Sequence, residues 1–250
     1  MNLKIDVPAA VNEIIDKFES KGFEIYIVGG VVRDILLKRP LYDWDFTTNA
    51  KPEQVLELFD DAYYTNKYGM VGVPAGENVR PFEVTTFRTD HGYTDSRHPD
   101  EVRWGTTLED DLQRRDFTIN ALALKKTKSG FELIDLHGGE DDLKNKLIRA
   151  VGEPKKRFEE DALRMMRSVR IASQLKFNIE EQTFEAIQMM AENIQKISAE
   201  RIRDELFKLI GSDYPADGYQ ILRNTELARQ ILPEVETGFG VDQKSPGRHH

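Results

Sequence analysis

The chain of 250 residues carries 44 acidic and 35 basic side chains, a formal net charge of −9, and no cysteine. That length holds one large domain or two smaller ones, and the missing thiols exclude disulfides, Cys-based zinc sites and a cysteine nucleophile. The net charge weighs against a protein that coats nucleic acid, and no apolar run reaches the ~18 residues needed to cross a bilayer. With no signal-peptide core behind Met1, a soluble cytoplasmic protein is the expectation.

In chain order, residues 8–21 read as a helix: Pro8 suits the first turn, Val11, Ile14, Ile15 and Phe18 have helical spacing, and Gly22 suits the end. Residues 23–28 are a strand of β-branched and aromatic side chains. A short helix over 31–38 stops before Pro40. A strand follows at 44–48, then a helix at 52–59 opened by Asn49 and Pro52. Strands are expected near 61–65, 70–74 and 80–87. Residues 89–97 are polar, have no period and read as a mobile loop. A helix at 108–113 precedes strands at 117–124 and 131–135. Gly138-Gly139 breaks the chain before a short helix and a strand at 147–151. After Gly152-Glu153-Pro154 the pattern turns helical: 155–175, 180–193, 199–210 with Ser198 as N-cap, and 216–229. No strand is expected there beyond two or three extended residues near Phe177. The fold class is therefore α+β, with a mixed or antiparallel sheet in residues 1–150 and an all-α part in residues 151–250.

The most informative motif is Asp43-Trp44-Asp45. Side chains at i and i+2 of a strand share a face, with Cα atoms about 6.6 Å apart at roughly 3.3 Å per residue. Such a pair can share divalent cations. Upstream, Gly29-Gly30 ends an apolar strand, where glycine lets backbone N–H groups approach an anion. A phosphate cradle beside a metal-binding pair points to phosphoryl or nucleotidyl transfer. The same residues also fit a glycine turn followed by a surface strand with two solvated carboxylates. Glu83, in Pro81-Phe82-Glu83-Val84, is a third candidate carboxylate, as general base or support for the metals; an exposed strand glutamate is the other reading.

Charge is unevenly spread. From Lys144 to Lys176 stand ten Lys or Arg against four Asp or Glu, a local +6 that leaves −15 for the rest. A basic segment in an acidic chain suits a small anionic ligand or a local nucleic-acid contact; a salt-bridged helical surface is the plain reading.

Further segments join these motifs: Arg114-Arg115-Asp116-Phe117-Thr118-Ile119-Asn120, Asp135-Leu136-His137-Gly138-Gly139, Glu160-Asp161-Ala162-Leu163-Arg164 with Arg167 and Arg170, and Glu200-Arg201-Ile202-Arg203-Asp204-Glu205. With Gly29-Gly30-Val31-Val32-Arg33-Asp34 and Asp43-Trp44-Asp45, the set resembles the class II tRNA nucleotidyltransferases, the CCA-adding enzymes, whose pattern bacterial poly(A) polymerases share. The resemblance runs from about residue 22 to 235. It implies a nucleotidyltransferase head followed by a helical neck, adding C and A from CTP and ATP to the 3′ end of tRNA without a template. It implies Mg²⁺ at Asp43 and Asp45, triphosphate contacts at Gly30 and Arg33 beside Gly29, and nucleotide binding at Arg115, with Asp116 and Asn120 near the ribose. Asp161 and Arg164 fall where the family reads the base, Arg167 and Arg170 at further nucleotide contacts. Family members run well past 250 residues, so a piece of a longer protein is expected.

Physical chemistry supports the base-reading positions. Residues three apart on a helix are neighbours, a carboxylate only accepts hydrogen bonds and a guanidinium only donates. Cytosine and adenine each present an amino donor beside a ring-nitrogen acceptor; uracil and guanine present the reverse. An ordinary i, i+3 ion pair is the competing reading, worth roughly 0.3–0.5 kcal/mol. Arg164, Arg167 and Arg170 step about 4.5 Å apart along the helix and form a winding track for an elongated anion. The remaining alternatives are an A-only enzyme or poly(A) polymerase and, from another class, a non-catalytic RNA- or nucleotide-binding module.

Overall fold

The computed structural model describes residues 2–66, 69–76, 79–91, 101–104 and 107–241. The strands are β1 (Asn2–Leu3), β2 (Ile25–Val28), β3 (Asp45–Thr48), β4 (Tyr63–Asn66), β5 (Met70–Val73), β6 (Phe82–Thr86), β7 (Arg88–His91), β8 (Glu101–Trp104), β9 (Leu122–Thr127), β10 (Gly130–Asp135), β11 (Leu147–Ile148) and β12 (Asn178–Ile179). The helices of the first part are α1 (Ala9–Ser20), α2 (Gly30–Leu36), α3 (Pro52–Leu58), α4 (Leu108–Gln113) and α5 (Gly139–Asn145). Those of the second are α6 (Pro154–Glu160), α7 (Leu163–Leu175), α8 (Glu181–Met190), α9 (Ala199–Ile210), α10 (Pro215–Asn224), α11 (Leu227–Ile231) and α12 (Pro233–Glu236). Among the described residues no helix is long and apolar enough to cross a membrane.

One eight-stranded sheet, in the order β1-β10-β9-β2-β3-β6-β5-β4, carries the first part. Every pairing in it is antiparallel except β3 with β6. The mixed α+β reading of the sequence holds. All four residues of β2 are buried. Ile25 and Ile27 face a core with Val11, Ile14, Ile15 and Phe18 of α1, while Tyr26 and Val28 face a second cluster with Phe87, Leu108 and Leu112. Full burial of each such aliphatic or aromatic side chain is worth roughly 1.5–3 kcal/mol, so a strand apolar on both faces is driven to the middle of the sheet.

The topology gathers chemistry at one sheet edge. β2 runs antiparallel to both β3 and β9, and β6 parallel to β3. The end of β2 therefore lies beside the starts of β3, β6 and β9. Those four chain positions carry Gly29-Gly30, Asp43 to Asp45, Glu83, and the segment running from Arg114 to Asn120.

Four expectations are corrected. The 117–124 strand is a single bridge from Phe117 to Ala150, a 3-10 turn at Thr118–Asn120, and only then β9. The turn is pinned because the Thr118 hydroxyl donates to Asp142 at 2.7 Å and Gly139 packs under Thr118, where an added Cβ would stand 2.3 Å from its carbonyl oxygen. The 155–175 helix is broken between α6 and α7, because Asp161 is extended (φ −149°, ψ 105°) and its carboxylate accepts the Leu163 N–H at 3.0 Å. Asp competes for backbone donors in this way and so favours helix starts over helix interiors. Part of the expected 89–97 loop is strand: β7 pairs antiparallel with β8, while 92–100 lie outside the described residues. The 216–229 helix is split where Glu226 adopts a left-handed conformation at φ 64°. The few extended residues near Phe177 are β12, which pairs parallel with β11.

The helical part has its own core of Phe158, Met165, Met166, Val169, Ile187, Ile194 and Leu222. It does not stand apart. Ile171, Ala172 and Phe177 belong to the core beneath the sheet, and Arg149 bridges Asp142 at 3.0 Å to Glu180 at 3.2 Å.

Candidate active site

The sheet edge faces the N-terminal half of α7 across a cleft of about 740 Å³. All thirteen candidate side chains or glycines named from the sequence line it: Gly29, Gly30, Arg33, Asp43, Asp45, Glu83, Arg115, Asp116, Asn120, Asp161, Arg164, Arg167 and Arg170. Nine cationic side chains and five carboxylates make up its ionic lining. Such a field favours a polyanion, with the carboxylates confined mostly to one wall.

Gly29 sits at φ 81°, ψ −144°, a region open essentially to glycine alone. A Cβ there would stand 3.2 Å from Arg115 Nη1 and 3.5 Å from Asp45 Oδ2. Gly29→Ala should therefore cost about 2 kcal/mol in backbone strain and push Arg115 off the edge. Urea unfolding of the variant checks the first effect, and nucleotide binding by calorimetry the second. Arg33, one turn on, is aimed by two bonds to Asp34 and by Nη1 donating to Asn120 Oδ1 at 2.9 Å.

Asp45 opens β3 and lies directly opposite Glu83 in the parallel register with β6. Its pKa is pushed up to about 6, first by burial and then by the Glu83 charge; Arg115 opposes the rise and Asp43 adds to it. Asp43 precedes the strand instead of lying in it. It is exposed, and Arg80 Nη1 donates to its Oδ1 at 2.7 Å. Among the described residues no three Asp, Glu or His side chains close a complete metal cage. The donor set is hard carboxylate oxygen, which suits Mg²⁺ or Mn²⁺, ions that keep waters and fill their shells with substrate phosphate. Asp43 and Asp45 fit such an ion, and the absent Cβ of Gly29 leaves room beside Asp45.

Behind this edge lies an arginine network that the sequence reading found only in part. Asp111, fully buried on α4, anchors both Arg114 and Arg115. Burial would raise its pKa, yet the two guanidiniums prevail and hold the carboxyl below its usual range. Asp116 accepts from Arg167 Nε at 2.8 Å and Nη2 at 2.6 Å, from Asn120 at 3.2 Å and from the Phe117 N–H at 2.8 Å. Here too burial is outweighed, above all by Arg167, and the carboxyl stays ionised far into acid. Its stabilising contribution is thus complete at neutral pH and is lost progressively as pH falls from the ordinary carboxylate range down through that depressed value. Asp116→Ala leaves Arg167 partnerless in the cleft and should cost about 2 kcal/mol in a denaturant titration, the figure being kept low because Arg167 is partly exposed.

Asp161 and Arg164 both reach the cleft, but not as a mutual ion pair. Asp161 accepts from Arg201 of α9, Nη2 to Oδ2 at 2.8 Å. Arg164 donates to Glu160 at 2.8 Å, to the Arg114 carbonyl at 3.0 Å and to the Arg157 carbonyl at 3.3 Å. The simple i, i+3 pair is therefore excluded, and acceptor and donor are held separately. Arg170 turns Nε to Glu205 and Nη1 to Gln174. Arg80, Arg114, Arg201 and Lys208 also line the cleft and had no role in the sequence reading. Arg201 lay inside a quoted motif, and Asp111 stands at helical spacing from Arg114 and Arg115, which was the available signal for that anchor.

A sheet edge bearing clustered carboxylates, faced by a helical arginine wall, defines a polymerase-type head joined to a helical neck. Residues 25–149 match the family described as poly A polymerase head domain, and residues 176–239 match the family described as probable RNA and SrmB-binding site of polymerase A. The chain belongs to the poly A polymerase head-domain family. It is 48% identical over 227 residues to a CCA-adding enzyme of Lactobacillus helveticus, covering 90% of this chain and 56% of that protein. It is 50% identical over 202 residues to one of Lactobacillus delbrueckii subsp. bulgaricus, covering 80% and 50%. Among solved structures it is similar to the Bacillus stearothermophilus CCA-adding enzyme in complex with CTP (TM-score 0.79, 39% identity, 88% of this chain and 53% of that one). It is also similar to the Thermotoga maritima CCA-adding enzyme complexed with tRNA (TM-score 0.76, 25% identity, 92% and 54%). The chain thus spans about half the length of the curated relatives it matches.

Proposed function

We propose that the chain is the catalytic portion of a metal-dependent, template-independent nucleotidyltransferase that adds C and A from CTP and ATP to the 3′ end of tRNA in the cytoplasm. The observation that carries this reading is the Asp43–Asp45–Glu83 edge facing the Arg164–Arg167–Arg170 wall across one cleft. Residues 1–150 supply the chemistry and residues 151–250 select the base and meet the RNA.

Asp43 and Asp45 would hold Mg²⁺, which supplies activation of the 3′-hydroxyl and charge neutralisation at the transferred phosphate and leaving pyrophosphate. Glu83, abreast of Asp45, supports the same edge. Gly29 and Gly30 let the triphosphate approach the backbone, Arg33 and Arg115 bind it, and Asp116 and Asn120 hold the wall against the ribose. Asp161 accepts the amino group of cytosine or adenine while Arg164 donates to the ring nitrogen. No covalent enzyme intermediate is required.

The experiment is product length on a tRNA ending before CCA, with the intact parent protein and CTP alone, ATP alone or both. Two added C with CTP, completed by a single A with both, supports the proposal. The poly A polymerase description of the matched family favours a second reading, an A-adding enzyme or poly(A) polymerase; a long A ladder with ATP alone would establish it and remove CCA addition.

A further inference from the structure

Arg80 pairs with Asp43, which like Glu83 is an exposed carboxylate of the edge. Its Nη1 lies 2.7 Å from Asp43 Oδ1, with side chains 74% and 57% exposed respectively. Asp45, by contrast, is half-buried between Glu83 and Arg115. The two cations at the edge therefore differ in kind. Arg115 is anchored from behind by the buried Asp111, which also holds Arg114. For Arg80 the bond to Asp43 is the sole ion pair recorded among the described residues.

We propose that Arg80 is a positioning residue that stands in for the divalent ion at Asp43 and is displaced when the ion arrives. This rests on the reading of Asp43 and Asp45 as metal ligands. The guanidinium keeps the Asp43 carboxylate oriented and its charge compensated while three carboxylates share one edge. Exposed ion pairs of this type are weak, so the stand-in yields to a divalent ion without a large barrier. It also sets the ion concentration at which the edge fills, because the ion must compete with it.

The test is Mn²⁺ binding by electron paramagnetic resonance at low ionic strength, with no nucleotide and no turnover. Wild type, Arg80→Ala, Asp43→Asn and the double variant form a cycle. Arg80→Ala should bind Mn²⁺ about 2- to 5-fold more tightly, the range an exposed pair of under about 1 kcal/mol allows. In the Asp43→Asn background the same change should have no effect, since the competition runs through that carboxylate. Unchanged affinity in Arg80→Ala would overturn the proposal. So would a gain that survives undiminished in the double variant, which would mark a general field effect of one lost cation. If Asp43→Asn itself leaves Mn²⁺ binding untouched, the metal-ligand reading fails and takes the proposal with it. Circular dichroism melts of all four proteins separate these outcomes from unfolding.

Discussion

Asp43→Ala or Asp45→Ala in the intact parent protein should reduce incorporation of labelled CTP and ATP by at least about 10³-fold, the ~4 kcal/mol that a lost metal contact at a transferring phosphate represents. The edge has no spare ligand set, because no third Asp, Glu or His among the described residues completes a cage with these two. Stability should move the other way. Asp45 is half-buried beside Glu83, and its pKa is pushed up to about 6 by burial and by that neighbour. Asp45→Asn removes one of the crowded charges without changing shape, so it should raise the melting temperature by a few degrees, a gain on the order of 1 kcal/mol. Activity lost together with stability gained is the signature of a site strained for chemistry. Normal turnover in either alanine variant would remove the central claim.

The second large effect concerns base choice. Asp161→Ala should relax discrimination against UTP and GTP, because the acceptor that clashes with their carbonyls is gone; a polar mismatch of this kind can separate substrates by up to about 10⁴-fold. The structure sharpens this expectation. Arg201 holds the Asp161 carboxylate from α9, and the Leu163 N–H holds it from α7. Its aim is fixed before a nucleotide enters. Arg164→Ala should weaken CTP and ATP alike, by about 10- to 150-fold for a charged hydrogen bond worth roughly 1.5–3 kcal/mol. Arg167→Ala and Arg170→Ala should lower kcat/KM for all four nucleotides together, as contacts blind to the base do. The measurement is kcat/KM for each nucleotide in each variant, with denaturant melts as controls because Arg167 and Arg170 also hold Asp116 and Glu205. An equal loss for all nucleotides in Asp161→Ala would end the base-reader assignment.

The sequence made the carboxylate edge and the arginine track legible because their chemistry is local. Asp43 and Asp45 are two residues apart, Gly29 and Gly30 adjacent, and the three arginines evenly spaced. Long-range pairing was less visible. That Glu83 stands abreast of Asp45 depends on a parallel register between strands separated by two others in sequence. That Arg201 clamps Asp161 depends on two helices crossing. The break at Asp161 was missed because an apolar period continues on both sides of it, and periodicity outvoted a residue whose side chain caps the next helix. Strand β7 escaped notice because its residues Arg88, Thr89, Asp90 and His91 show no apolar alternation; backbone pairing with β8 carries it.

The way Ile171, Ala172 and Phe177 sit beneath the sheet has a consequence for how the chain is made. A ribosome adds roughly 5–20 residues per second. Residues that seal the sheet's underside are thus synthesised seconds after the last strand of that sheet. During that interval Ile148, Leu143 and their neighbours, which the finished protein buries, face water. The nascent head thus passes through an unsealed stage whose apolar face closes only when α7 docks, the kind of transient exposure that favours aggregation.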